Sequence, residues 1–274
     1  MAKISMKEGA PQPQANQDFL RKIPLEGVKK RILVSSGKGG TGKSFVSVVL
    51  SLMLASRGKK VGLLDIDVHG PNTAIMLGLE GKKILANAEQ KLLPIEAGKN
   101  LKVVSAAFIL DEAQPLVWRG PMKGKLITDL LGQSLWGELD YLIVDSPPGT
   151  GDELLTITQK LEFTGTIVVG TPQKAAEYDV KKSINMMKHA GVKIIGLVEN
   201  MSEVICGGCG KAIDVFGKGR LRKLAEKEHL EFLSEIPIDI DARKMVDEGK
   251  IELSKLDPKI SSAFEIIIGK LEKL

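Results

Sequence analysis

The run Gly37-Lys38-Gly39-Gly40-Thr41-Gly42-Lys43-Ser44 sets glycines, two lysines and a hydroxyl where a polyphosphate can be held. It follows the apolar run Ile32-Leu33-Val34 and precedes a long apolar stretch from Phe45. Strand, glycine loop and helix, in that order, are the context that the pattern G-x-x-x-x-G-K-S/T requires. Glycines let backbone N–H groups turn inward on the phosphates, at a helix N-terminus whose dipole favours anions. In this reading Lys43 reaches the β- and γ-phosphates and Ser44 puts its hydroxyl on Mg2+. A second lysine, Lys38, directly follows the first glycine. It adds little to the crowded cradle of its own subunit. It can instead reach across a dimer interface to a nucleotide held by the other subunit, and a solvated loop lysine is the alternative.

Two acidic stretches suit the same chemistry. Leu63-Leu64-Asp65-Ile66-Asp67 ends an apolar run and leads into Val68-His69-Gly70-Pro71-Asn72. Asp65 and Asp67 are two residues apart, so an extended segment sets them on one face. Asp67 is expected to orient the attacking water or to act as a switch residue, with Asp65 acting near Mg2+. Tyr141-Leu142-Ile143-Val144-Asp145 is a second apolar run ending in a carboxylate, the usual other half of a phosphate-loop site, with Asp145 on the magnesium shell. The Ser146-Pro147-Pro148-Gly149-Thr150-Gly151-Asp152 segment behind it is stiff and then hinged, a composition suited to sensing a γ-phosphate.

The chain has two cysteines, Cys206 and Cys209, in one C-x-x-C. Three readings compete. A redox pair wants the motif at a helix start, which Gly210 disfavours. A tetrahedral metal or iron–sulfur site needs four ligands. The histidines at 69, 189 and 229 show no ligand spacing to the cysteines, but a two-fold dimer supplies a second pair by symmetry. The third reading is a bland loop.

These residues need a scaffold, and the chain alternates short β-rich runs with helical ones. Strands are expected at 31–35, 61–65, 101–105, 141–145, 166–170, 194–198 and 232–236. Helices are expected at 44–57, 153–161, 175–190 and 219–229. Continuous apolar runs between helices point to a parallel sheet covered on both faces, a doubly wound α/β fold. Its ligand belongs at the C-terminal ends of the strands. Residues 1–18 are polar and rich in Pro and Gln, and read as a disordered tail. Phe19, Leu20 and Ile23 can pin the next segment to the body. Residues 19–274 read as one domain, with the C-x-x-C region at 201–218 as an insertion.

Bulk properties narrow the partners. Hydrophobic residues make up 43% of the 274, enough for a substantial core, while aromatics at 4% leave that core to aliphatic side chains. Net charge is +5, but both signs are mixed and no basic run stands out, so no nucleic acid is expected. The longest apolar stretch, Phe45 to Ala55, is too short to span a bilayer. At 260–271 Ile260, Ala263, Phe264, Ile267 and Leu271 fall at helical spacing. The polar face there has balanced charge, so packing on the sheet is favoured over a membrane. No signal peptide is recognisable, and a cytoplasmic protein is expected.

The stretches SSGKGGTGKS, DIDVHGPN, DYLIVDSPPGTGDE and ENMSEVICGGCGK followed by VFGKGR resemble the Mrp/ApbC group of iron–sulfur cluster carrier ATPases. That group belongs to the deviant phosphate-loop class that also holds MinD, ParA and the nitrogenase iron protein. The resemblance runs from about residue 30 to about 240 in unbroken motif order. It implies that Lys38 is the signature lysine reaching the partner's nucleotide, that Gly39 to Ser44 form the phosphate cradle of ATP, and that Gly37 belongs to the same nucleotide-binding loop. Asp67 matches the switch I aspartate and Asp145 the magnesium-side one. Asn200 matches the asparagine that contacts the base, and Pro237 and Asp239 fall in the stretch that closes over it. Cys206 and Cys209 match the pair that binds a 4Fe-4S cluster bridging a homodimer, for delivery to apo iron–sulfur proteins, with slow ATP hydrolysis. Zinc is a second occupant of the same site. The alternative is a metal-free positioning switch of ParA or MinD type. The chain departs from the group at His69, often Tyr, and at Gly207-Gly208 between the cysteines, where Pro is common.

Overall fold

The computed structural model describes residues 22–109, 120–206 and 208–274, so the stretch read as a disordered tail lies outside it, as do Phe19 and Leu20. The strands are β1 Val28–Ser36, β2 Val61–Asp65, β3 Leu85–Ala86, β4 Leu92–Leu93, β5 Ile95–Glu96 and β6 Leu101–Ser105. They continue with β7 Leu139–Asp145, β8 Gly165–Gly170, β9 Ile194–Ile205, β10 Ala212–Ile213 and β11 Phe232–Ile238. The helices are α1 Lys43–Ser56, α2 Thr73–Met76, α3 Gly120–Gln133, α4 Asp152–Lys160, α5 Lys174–His189, α6 Arg220–Lys227, α7 Ile240–Asp247 and α8 Pro258–Glu272.

Parallel strands lie in the order β11-β9-β8-β1-β7-β2-β6, with the short antiparallel β5 and β10 completing a nine-stranded sheet. Side chains alternate across it. Ile32 and Val34 of β1 join the cluster under α1 and α8, whereas Leu33 joins the opposite cluster under α3 and α4. Both faces are therefore apolar, the reason the strands read as unbroken hydrophobic runs. The chain leaves β1 towards β2 on one side and later lays β8 on the other. Loops at the C-terminal end of β1 thus diverge and open a crevice, the usual ligand position in such sheets.

Ile23 donates its N–H to the Lys160 carbonyl at 2.7 Å and packs on the cluster under α3, as expected of a pinning residue. At the other end Ile260, Ala263, Phe264, Ile267 and Leu271 of α8 are all buried against the sheet. The apolar face that a membrane would need is therefore spent on the core. No helix among the described residues is long and apolar enough to cross a membrane.

Candidate nucleotide site and cysteine hairpin

The loop after β1 turns over the strand end and enters α1. Two of its glycines are dictated by space. A Cβ on Gly37 would overlap the main chain of Asp179 on α5. Gly42, the N-cap of α1, has φ +77°, and a Cβ there would overlap Asn200 Nδ2. Left-handed backbone and close approach both require glycine. Asn200 Nδ2 donates to the Thr41 carbonyl at 2.8 Å, so the middle of β9 braces the loop from outside. Thr41 Oγ1 is buried without a partner, an orphaned group of the kind a bound ligand satisfies.

Lys43 and Asp145 form a buried ion pair at 2.8 Å. Ser44 Oγ donates to the other carboxylate oxygen at 2.6 Å, and Ser47 Oγ to the first at 2.7 Å. The loop lysine, the loop serine and the β7 carboxylate thus meet at one point. Ser47 was not anticipated. Its signal was a row of serines, Ser47 and Ser51, at four-residue spacing from Lys43 on an otherwise apolar helix.

Asp65 is fully buried and register-paired with Asp145. Its carboxylate accepts from Asp67 N at 3.0 Å, Thr73 N at 3.2 Å, Thr73 Oγ1 at 2.8 Å and Ser105 Oγ at 3.3 Å. Burial, reinforced by the Asp145 charge, raises its pKa to about 7, against the pull of Lys43. Asp67 is nearly buried, and one oxygen caps the turn by accepting from His69 N at 3.1 Å and Gly70 N at 3.3 Å. Burial pushes its carboxyl upward too, with Lys43 opposing. Lys38 is half-buried, its Nζ 3.4 Å from Gln173 Oε1 at the head of α5.

A cavity of about 230 Å³ opens beside Gly42. Phe45, Asn200, Met201, Pro237, Asp239 and Arg243 line it. It gathers the three residues expected around a base and adds an apolar floor. Phe45 was hidden by its place in an ordinary apolar helix run. Met201 has φ +59°, unusual for a non-glycine residue and invisible in sequence. Asp239 also caps α7, accepting from Asp241 N at 2.9 Å.

The donor set fits a magnesium nucleotide. Ser44 and Asp145 present hard oxygens side by side, the preference of Mg2+. The loop has glycine wherever a Cβ would intrude, and the cavity continues it on the base side.

The cysteines lie at the tip of the β9–β10 hairpin. Cys206 N donates to the Lys211 carbonyl at 3.0 Å, and Gly210 N to the Cys206 carbonyl at 2.8 Å. Both thiols are free, Cys206 partly buried and Cys209 exposed. Backbone N–H groups of Cys209 and Gly208 hold the Cys206 thiol below its ordinary range. Such a turn favours thiolate at Cys206. No group of three or more His, Cys, Asp or Glu able to hold a metal occurs among the described residues.

Comparison with known proteins gives a consistent answer. A family model described as ParA, NUBPL iron-transfer P-loop NTPase, matches residues 27–272. The iron-sulfur cluster carrier protein of Methanocaldococcus jannaschii is 44% identical over 259 residues, 94% of this chain and 89% of that one. Its Escherichia coli namesake is 44% identical over 225 residues, 82% of this chain and 61% of that one. Among solved structures, a nucleotide-binding protein from Archaeoglobus fulgidus in complex with ADP has a TM-score of 0.76 at 38% identity, covering 88% of this chain and 93% of that one. The cell division ATPase MinD of Pyrococcus furiosus has a TM-score of 0.65 at 25% identity, covering 89% and 98%.

Proposed function

The chain belongs to the iron-transfer P-loop NTPases of the ParA/NUBPL family, and from that premise we propose that it is an ATP-dependent iron–sulfur cluster carrier. Two subunits face each other, each binding Mg-ATP, and Cys206 and Cys209 of both ligate one bridging 4Fe-4S cluster. Apo iron–sulfur proteins receive it, and the site of action is the cytoplasm. The observation that supports the reading is a pair of free thiols at the tip of the hairpin that β9 forms, the strand whose Asn200 braces the phosphate loop.

Each site residue has a task in this reading. Gly37, Gly39, Gly40, Thr41 and Gly42 turn their backbone around the phosphates, and Lys43 exchanges Asp145 for phosphate oxygens. Ser44 and Asp145 would hold Mg2+, which would supply positive charge at the phosphates. Asp65, with four protein donors already, acts near that ion through its charge and by fixing Asp67. Asp67 keeps one oxygen clear of the turn it caps and orients the attacking water. Asn200, Pro237 and Asp239 hold the base. Lys38 leaves Gln173 to reach the partner's nucleotide, so hydrolysis is slow until two subunits meet. Residues 19–274 act as one ATPase domain with the cysteine hairpin inserted at 201–218.

Anaerobic reconstitution with iron and sulfide, followed by iron content and native mass, tests the proposal. One bridging 4Fe-4S cluster gives about two irons per chain on a dimer. A nucleotide-bound dimer that takes up no iron would overturn it.

A further inference from the structure

Glu199 is wholly buried in β9, yet it forms no ion pair with a lysine, arginine or histidine among the described residues. Its two oxygens accept from Gly219 N and Leu221 N, both at 2.9 Å, at the start of α6. The N-cap of α6 is Gly219, in left-handed conformation and without a side chain to cap the helix. A local Ser, Thr or Asp would cap α6 at less cost than a buried carboxylate. A cap sent from β9 does something a local cap cannot: it ties α6 to the strand. Two N–H donors and the helix dipole offset the burial of the charge.

The next residue is Asn200, which holds the Thr41 carbonyl of the phosphate loop and lines the base cavity. Adjacent strand residues point to opposite faces. One peptide unit of β9 therefore grips the nucleotide loop on one face and the start of α6 on the other. Between these two grips runs the whole cysteine excursion, out along β9 and back through β10 to Gly219. A second tie lies on the same route. Glu203 of β9 pairs with Lys218 on the return segment and with Lys259 of α8 at 2.7 Å.

We propose that Glu199 is a positioning residue that transmits nucleotide occupancy from Asn200 to the cysteine hairpin. When the base engages Asn200, β9 shifts as a unit, and Glu199 makes the return segment and α6 follow. The two ends of the hairpin then move together and the sulfurs keep a defined spacing. Without the carboxylate the return end is left behind. The inference deepens the carrier reading and rests on it for its purpose, though not for its geometry.

The first test needs no cluster. Amide hydrogen exchange at Cys206, Gly210, Gly219 and Leu221 is measured with and without a non-hydrolysable Mg-ATP analogue, in wild-type and Glu199→Gln proteins. Wild type is expected to change hairpin protection by about tenfold on binding, within the usual range of site-to-site coupling. Glu199→Gln should bind the analogue with unchanged Kd and lose that hairpin response. A structural role alone would lower Tm and leave the response in place, and this result would overturn the proposal, as would a wild-type hairpin indifferent to nucleotide. Should Glu199→Gln fail to fold, Glu199→Asp keeps the charge and withdraws it from α6. Cluster release, followed in the reconstituted dimer, separates the two ideas. If wild type takes up no iron but its hairpin responds to nucleotide through Glu199, the carrier reading fails and the coupling stands.

Discussion

Asp65 and Asp145 are register partners on adjacent strands, both without solvent exposure, and Lys43 stands 2.8 Å from Asp145 alone. One cation thus serves two carboxylates. Burial, with the Asp145 charge beside it and only this shared cation opposing, raises the Asp65 pKa to about 7 from the ordinary 3.8. A raised folded value means that the native state binds the proton more tightly. The resulting stability is fully present below the unfolded value and is lost as pH rises through about 7. Nucleotide-free protein should therefore lose several degrees in Tm between pH 5 and pH 8 from this group. Asp65→Asn, which cannot ionise, should lose measurably less over the same interval. Equal pH dependence of the two proteins would show that Asp65 does not titrate as described.

The two loop lysines should separate in their effects. Lys43→Ala strips the paired cation from the buried Asp145 carboxylate, a change that costs about 3 kcal/mol. It should lower Tm and abolish hydrolysis together. Lys38 is half-buried with one long contact to Gln173. Lys38→Ala should leave stability within about 0.5 kcal/mol. It should still slow hydrolysis by about 100-fold, as expected on losing a donor to developing charge. Thermal melts and single-turnover ATPase on both variants check the contrast.

Gly42→Ala should damage the site from two directions. The left-handed backbone costs a residue with a Cβ about 1–2 kcal/mol. The new methyl also displaces Asn200 Nδ2 from the Thr41 carbonyl and intrudes on the base cavity. The expected outcome is a modest fall in Tm with loss of nucleotide binding in titration calorimetry. Gly40, whose Cβ would meet nothing within 4 Å, is the control. Gly40→Ala should show the backbone strain without the collision.

Most of the scaffold was legible because each parallel strand is buried on both faces. The apolar runs at 61–65 and 101–105 appear as strands with the expected bounds. β9 runs seven residues beyond the expected Val198, since its far half is held by the hairpin partner β10 and by β11. Those contacts are non-local, and Asn200-Met201-Ser202 carries no strand pattern by itself. The helix α7 was not foreseen; it is short and capped by Asp239, a residue read only as a base contact. The phosphate loop was legible from local chemistry alone. The bracing of Asp145 by Ser47 and of Asp65 by Thr73 and Ser105 was not, because each bond joins segments whose approach is set by the sheet.

The cysteine hairpin should be dispensable for folding and indispensable for cargo. Main-chain bonds between Cys206 and Lys211 and between Gly210 and Cys206 close it without help from sulfur. Cys206 is only partly buried and Cys209 is exposed, so replacing either by serine removes little packing. Cys206→Ser and Cys209→Ser, singly or together, should keep unfolding free energy within about 0.5 kcal/mol of wild type and leave ATP affinity unchanged. Iron uptake should disappear even in the single variants, since a two-fold site then keeps one thiolate per subunit, too few for a cluster that takes four. Zinc titration gives an independent check on ligand number. The wild-type dimer should bind one zinc per two chains in S₄ geometry, and each single variant should bind it far more weakly. Undiminished iron in the double variant would remove the cysteines from the mechanism.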